Sequence, residues 1–283
     1  MAEKLRGAPV AAALNEKTAA AVARLKADGI VPGLAVLRVG ERPDDIAYEQ
    51  AAEKRCAALG IAVIKTALPQ DVTQAELTET IRRLNGDPAV HGILLLRPLP
   101  KGLDERAACA AIRPEKDADG VTGASLAGVF TGSRDGFPPC TAQSCMEILR
   151  YYGIPLAGKH AVVLGRSLVI GRPVAALLLA ADATVTICHS RTEDAAALCR
   201  AADIVVAATG RPESVGEGYL SGGQVVLDVG MSWNEEKQKL SGDVDPDAAE
   251  KLAAAYTPAP GGVGTVTAAV LAAHVAEAAE RIR

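Results

Sequence analysis

The chain has 283 residues, 49% hydrophobic and 23% charged; at about 150 residues per domain this suits two folded domains or one large α/β domain, and excludes a disordered chain. Its 30 basic and 34 acidic residues give a net charge of −4 and are mixed along the sequence, without a basic stripe for nucleic acid or a membrane surface. Aromatics are only 3%, so stacking platforms for single strands are few and the core must use small aliphatic side chains.

Lys4 and Arg6 precede an apolar stretch, Ala8–Leu14, that is short, contains Pro9 and runs into a helical pattern over Asn15–Lys26; it reads as mature sequence rather than a signal peptide. Apolar β-rich runs follow at Leu34–Val39, Ile61–Leu68 and Val90–Leu96, with helical patterns at Asp45–Leu59, Gln74–Asn85 and Asp104–Ile112. Arg113–Pro139 is rich in Gly and Pro and has little periodicity, so it reads as a linker carrying functional loops. Beyond it come a helix at Thr141–Tyr152, then strands at Ala161–Leu164, Thr184–Cys188, Ile204–Ala208 and Val225–Val229. Their helices are expected at Arg172–Ala181, Thr192–Ala201 and Pro246–Ala255. A second Pro/Gly cluster, Thr257–Gly264, precedes a final helix over Thr265–Ile282.

Strands spaced by helices predict an α/β protein with parallel sheets covered on both faces. The expected division is a first domain of residues 1–139 joined by a returning helix 266–283, and a second of residues 140–265. Ligands are expected in a cleft between the two. No apolar run reaches the ~18 residues of a membrane span. Cys56, Cys109, Cys140, Cys145, Cys188 and Cys199 form no CxxC pair, which predicts reduced thiols in the cytoplasm and no metal site.

Ala161–Leu164 is followed by Gly165-Arg-Ser-Leu-Val-Ile-Gly171 and then Arg172-Pro173. A strand, a glycine turn and a helix start form the geometry that holds a dinucleotide pyrophosphate on backbone N–H groups. The pattern is G-x-S-x-x-x-G rather than G-x-G-x-x-G, so alone it is a weak signal. The next strand ends in His189-Ser-Arg-Thr192. Where NAD-binding folds place an acidic residue against the ribose, this chain has Ser190 and Arg191, with Arg166 nearby. Hydroxyl and cationic groups suit a 2′-phosphate, which favours NADP over NAD.

These strings, with Asp228-Val-Gly230, Gly242-Asp-Val244 and Pro260-Gly-Gly-Val-Gly264, resemble the methylenetetrahydrofolate dehydrogenase/cyclohydrolase (FolD) family. In the first half Val39-Gly40, Tyr48, Gly60-Ile61, Gly92-Ile-Leu94, Pro98-Leu-Pro100, Lys116-Asp-Ala-Asp-Gly120 and Pro139-Cys-Thr141 continue the resemblance. It implies an N-terminal folate-binding domain, a C-terminal Rossmann-type NAD(P)-binding domain and a homodimer. The family oxidises 5,10-methylenetetrahydrofolate to the methenyl form and hydrolyses that to 10-formyltetrahydrofolate. By position it implies Asp119 as pterin anchor and Tyr48 as the residue orienting the folate. Pro98, Pro260, Gly261, Gly262 and Gly264 would line the substrate. Gly165, Arg166, Ser167, Gly171, Ser190, Arg191, Thr209, Gly210 and Met231 would line the cofactor.

Two departures stand out. Ala52 occupies the position of the family's catalytic lysine, four residues after Tyr48, and Leu96 that of its partner glutamine. Lys54 should point about 200° away from position 52 on a helix. Arg97 should face the opposite side of its strand, unless the strand ends there. Hydride removal needs positioning more than proton transfer, whereas hydrolysis needs a placed acid or base. The expectation is therefore a dehydrogenase with weak or absent cyclohydrolase activity. The alternatives are a fully bifunctional enzyme in which Arg97, Asp45 or a water replaces the lysine, and a non-catalytic NADP- or folate-binding module.

Overall fold

In the computed structural model, which describes residues 2–282, the chain forms two units: residues 13–140 with 268–282, and residues 2–12 with 141–267. In chain order, β1 (Glu3–Lys4) and α1 (Gly7–Ala27) are followed by β2 (Gly33–Val39), α2 (Pro43–Leu59), β3 (Ala62–Leu68), α3 (Gln74–Gly86) and β4 (Gly92–Leu95). Next come α4 (Glu105–Ala110), α5 (Gly123–Thr131) and α6 (Cys140–Tyr151). The remainder is β5 (His160–Leu164), α7 (Gly171–Ala180), β6 (Thr184–Cys188), α8 (Ala195–Arg200), β7 (Ile204–Ala207), β8 (Val225–Asp228), β9 (Ser232–Asn234), β10 (Lys239–Ser241), α9 (Pro246–Leu252), β11 (Ala255–Tyr256) and α10 (Val263–Arg281).

The unit built on residues 13–140 holds a three-stranded parallel sheet in the order β3-β2-β4. Leu34–Leu37 of the central strand are fully buried, as a strand covered on both faces requires. Leu37, Leu77, Ile81, Ile93 and Ile112 pack into one core on one side of this sheet. Local chemistry sets the helix ends. Thr73 and Glu76 form a reciprocal capping box at the start of α3. Gly60 closes α2 at φ 77°, a left-handed position that glycine adopts without strain.

The other unit carries a six-stranded parallel sheet, β1-β11-β8-β7-β5-β6, and the antiparallel hairpin β9-β10. Here the sequence reading needs correction. Residues 2–12 belong to this unit and not to the first domain, because Glu3 and Lys4 pair in parallel with Ala255 and Tyr256 and Leu5 is fully buried. A two-residue strand carries no periodic signal that sequence could reveal. Helix α1 also begins eight residues earlier than its pattern suggested, since Pro9 lies in the first turn, where a missing N–H is harmless. The presumed linker contains a helix, α5, whose period is masked by its glycines.

Candidate nucleotide cavity and folate site

In the six-stranded unit, β5 runs into Gly165 (φ +127°), and a Cβ there would lie 2.1 Å from the Ala208 carbonyl oxygen. A Cβ on Gly171 would lie 2.3 Å from the Gly165 carbonyl oxygen. Both glycines are thus demanded by the tight strand-to-helix turn itself. Ser167 Oγ accepts from the Ile170 N–H at 3.1 Å, fixing the turn before α7. Beside it lies a cavity of about 680 Å³ lined by Gly165, Arg166, Ser167, His189, Ser190, Thr192, Thr209, Arg211 and Ser214. The donors, the hydroxyls and the two guanidinium groups fit a phosphorylated dinucleotide. Asp194 also lines it, but its carboxylate caps α8 by accepting from Ala197 N–H.

Gly171, Arg191, Gly210 and Met231 do not line this cavity. Arg191 is exposed, its backbone N–H held by His189 Nδ1 at 3.2 Å. Met231 is 44% exposed and so is not a core methionine. Arg211 went unnoticed in the sequence, where no motif marks it.

Two buried carboxylates brace the rim. Asp243 accepts from the N–H groups of Thr209 (2.5 Å) and Gly210 (3.0 Å). Asp228 accepts from the N–H groups of Asp243 (2.9 Å) and Val244 (3.1 Å). Burial pushes the Asp228 carboxyl up to about 7 despite these bonds. Gly230 and Gly242 leave room for the two carboxylates: a Cβ would stand 2.1 Å from Asp243 Oδ1 and 1.9 Å from Asp228 Oδ2. The strings Asp228-Val-Gly230 and Gly242-Asp-Val244 are therefore one interlocked device.

Pro260 and Gly261 form the turn into α10, where Gly261 has φ +107° and Gly262 would strike the Pro258 carbonyl oxygen at 2.6 Å if it carried a Cβ. These two glycines are explained by the turn. Gly264 faces open space.

In the three-stranded unit, the Lys116–Gly120 string separates into roles. Lys116 is buried and donates to the Asp87 carbonyl oxygen at 2.8 Å. Asp117, fully buried, accepts from the N–H groups of Val121 (3.0 Å) and Thr122 (2.7 Å) and from Ser125 Oγ (2.6 Å). The Ala118 carbonyl oxygen accepts from His274 Nδ1 at 2.9 Å and from Cys140 Sγ at 3.3 Å. A Cβ on Gly120 (φ +71°) would lie 2.5 Å from the Pro138–Pro139 backbone, so only glycine fits there. The loop is thus fixed without Asp119, whose carboxyl is left for other partners.

Those partners are informative. Burial pushes the Asp119 carboxyl up to about 6; the Arg97 charge opposes this, Asp117 adds to it, and a hydrogen bond from Cys140 opposes it. Arg97 Nη2 stands 3.7 Å from Asp119 Oδ2. Desolvation first and the Asp119 charge second push the Tyr48 phenol up to about 12. Tyr48 is 43% exposed, so it is not a core tyrosine. One turn along α2, Ala52 is buried, on the face that also buries Asp45, Glu49 and Cys56. Lys54 is exposed, Leu96 is buried, and Pro98 is exposed with its carbonyl oxygen accepting from Arg42 at 2.9 Å.

For Arg97 the stated exception holds: strand β4 ends at Leu95, so the strict alternation that would send Arg97 to the far side does not apply. Its guanidinium instead joins Asp119 and Glu105, the latter at 3.5 Å.

A parallel-stranded unit with a glycine turn and a cavity of dinucleotide size defines a nucleotide-binding α/β protein, which also has a second α/β unit holding a half-buried carboxylate site. Residues 5–119 match the catalytic-domain model, and residues 139–283 the NAD(P)-binding-domain model, of tetrahydrofolate dehydrogenase/cyclohydrolase. The chain is 50% identical to the bifunctional protein FolD of Carboxydothermus hydrogenoformans over 281 residues, covering 99% of this chain and 98% of that one. Its fold superposes on the FolD of Campylobacter jejuni with a TM-score of 0.96 at 35% identity, covering 100% of both chains. It superposes on the FolD of Trypanosoma brucei, solved with NADP and an inhibitor, with a TM-score of 0.91 at 39% identity, covering 99% and 98%. The chain belongs to the tetrahydrofolate dehydrogenase/cyclohydrolase family and is an enzyme of the methylenetetrahydrofolate dehydrogenase type. Among the described residues no helix is long and apolar enough to cross a membrane.

Proposed function

We propose that this chain is bifunctional: it oxidises 5,10-methylenetetrahydrofolate with NADP and hydrolyses the methenyl product to 10-formyltetrahydrofolate. The carrying observation is that the carboxylate site has kept a cation. Arg97 stands 3.7 Å from Asp119, although Ala52 fills the position of the family's lysine. The expectation of weak or absent hydrolysis rested on the loss of the family's lysine at Ala52 and its partner glutamine at Leu96, and with them of a placed acid or base. Arg97 returns a cation to the site, leaving proton transfer to an ordered water or a neighbouring carboxyl, and the relative named bifunctional at 50% identity supports the bifunctional reading.

Bound in the cavity lined by Arg166, Ser190 and Arg211, NADP would supply the hydride acceptor for the carbon between N5 and N10. The chain's part in that step is positioning. Asp119 accepts from the pterin amino group and ring N–H, and Tyr48 orients the ring system. Arg166, Ser190 and Arg211 receive the phosphates, and the absence of a carboxylate at Ser190 favours a 2′-phosphate, hence NADP. In hydrolysis, water adds to the methenyl carbon and loses a proton. The bond from that carbon to N5 then breaks as N5 takes up a proton and the new hydroxyl gives up its own, leaving a formyl group on N10 and releasing one proton overall. These proton movements need a positioned group or water that can give and take a proton near the operating pH. The family resemblance adds a homodimer in the cytoplasm.

Asp119→Ala tests the assignment. It should abolish both activities while leaving NADP binding intact. Retention of either activity at the wild-type rate would remove Asp119 from the site.

A further inference from the structure

Arg97 is held from two sides. Its Nη1 lies 3.5 Å from Glu105 Oε1 and its Nη2 lies 3.7 Å from Asp119 Oδ2. Glu105 is itself fixed, because its Oε2 accepts from the Leu99 N–H at 3.1 Å. The end of β4, the first turn of α4 and the Asp119 loop are therefore tied through one guanidinium. Arg97 is 22% exposed along its side chain and Asp119 27%, so the pair is neither fully solvated nor fully buried. The separations exceed those of tight hydrogen bonds, and the interaction is mainly electrostatic.

Resting on the function proposed above, we infer that Arg97 is a positioning residue, braced by Glu105, that holds the Asp119 carboxylate oriented and charged for the folate. Arginine suits this part better than a general base, because it does not lose its proton and its planar fork can bridge two carboxylates.

The groups facing Asp119 fix the sign of the effect. Asp117 repels its charge, and Glu105 and the Tyr48 phenol add no cation. The Cys140 thiol donates a hydrogen bond, but burial holds that thiol well above its ordinary range, so it stays neutral. Among the described residues Arg97 is the one cation within ion-pair distance of Asp119. Removing it leaves desolvation opposed only by the Cys140 hydrogen bond, and the carboxyl titrates higher. A carboxylate beside an arginine is typically lowered by about 1–3 units, and partial exposure favours the low end.

The test uses the full-length protein and the dehydrogenase reaction, read as kcat/KM against pH. Arg97→Gln should move the acid limb upward by about one unit and raise KM for methylenetetrahydrofolate about tenfold at neutral pH, with kcat at saturation changed much less. Arg97→Lys should recover part of the shift. Glu105→Gln, which loosens the brace without removing the cation, should raise KM with a smaller shift. Thermal unfolding of each variant separates these effects from misfolding. An unchanged acid limb in a folded Arg97→Gln protein would overturn the inference, as would a uniform loss of rate at every pH. If the wild type fails to hydrolyse methenyltetrahydrofolate, the bifunctional reading falls. The dehydrogenase pH profile still decides the role of Arg97.

Discussion

The Asp243 carboxylate accepts a hydrogen bond from the Thr209 backbone N–H at 2.5 Å, so a buried charge between β10 and α9 fixes the loop that borders the nucleotide cavity. The same oxygen takes the Gly210 N–H at 3.0 Å. Asp243→Asn keeps the shape and an acceptor oxygen for the two N–H groups but removes the negative charge that strengthens both bonds. It should weaken NADP binding about tenfold or more, corresponding to the loss of a charged hydrogen bond. Isothermal titration with NADP measures this; unaltered affinity would mean that the loop is held by other contacts.

Gly165→Ala should be severe, since φ +127° and a Cβ 2.1 Å from the Ala208 carbonyl oxygen leave no room for alanine. Nucleotide binding should fall below detection and the melting temperature should drop. Gly264→Ala is the contrast, because open space surrounds it and stability should hold. A folate KM that rises in that stable variant would indicate close approach of the substrate.

Asp117→Ala should destabilise the three-stranded unit by about 3 kcal/mol or more, because two backbone N–H groups and the Ser125 hydroxyl lose a buried acceptor. Urea denaturation gives the value, and a change below about 1 kcal/mol would contradict the role assigned to this carboxylate.

Asp228 contributes a pH dependence of stability. Its carboxyl is raised from 3.8 to about 7 by burial, so between those values the folded chain binds a proton that the unfolded chain does not. Its contribution is fully present below about 4 and is lost as pH rises through 7. Asp119, raised to about 6 by burial, acts in the same direction. The melting temperature should therefore decline from pH 5 to pH 8, and Asp228→Asn should flatten the slope. An equal slope in the variant would place the titrating group elsewhere.

Much of this was legible in the sequence. Buried parallel strands announce themselves as short apolar runs, and β6, at Thr184–Cys188, lies where its pattern put it. The glycine turn at Gly165 was readable because only glycine fits such a backbone. Elements without period were not legible: the two-residue β1 that carries the N-terminus into the second unit's sheet, and α5 within a glycine-rich stretch. Arg97 was legible only conditionally. Alternation along a strand predicts a side, but the end of β4 is set by its pairing with β2, and Arg97, two residues past that end, escapes the rule. Arg211 had no motif at all; it reaches the cavity because the loop after β7 is folded over Asp243.

Ser190→Asp tests the cofactor reading. A carboxylate at the end of β6 would repel a 2′-phosphate and suit a free ribose hydroxyl, so KM for NADP should rise tenfold or more while that for NAD holds or falls. Equal effects on both cofactors would remove Ser190 from the 2′ position.

The central claim is that one site serves both reactions despite Ala52. Its most direct measurement is the decay of preformed 5,10-methenyltetrahydrofolate with purified protein, followed by absorbance against a buffer blank at the same pH. Bifunctionality requires decay well above the blank, proportional to enzyme and abolished in Asp119→Ala. Decay no faster than buffer, in a preparation that still reduces NADP with methylenetetrahydrofolate, would contradict it and leave a dehydrogenase alone.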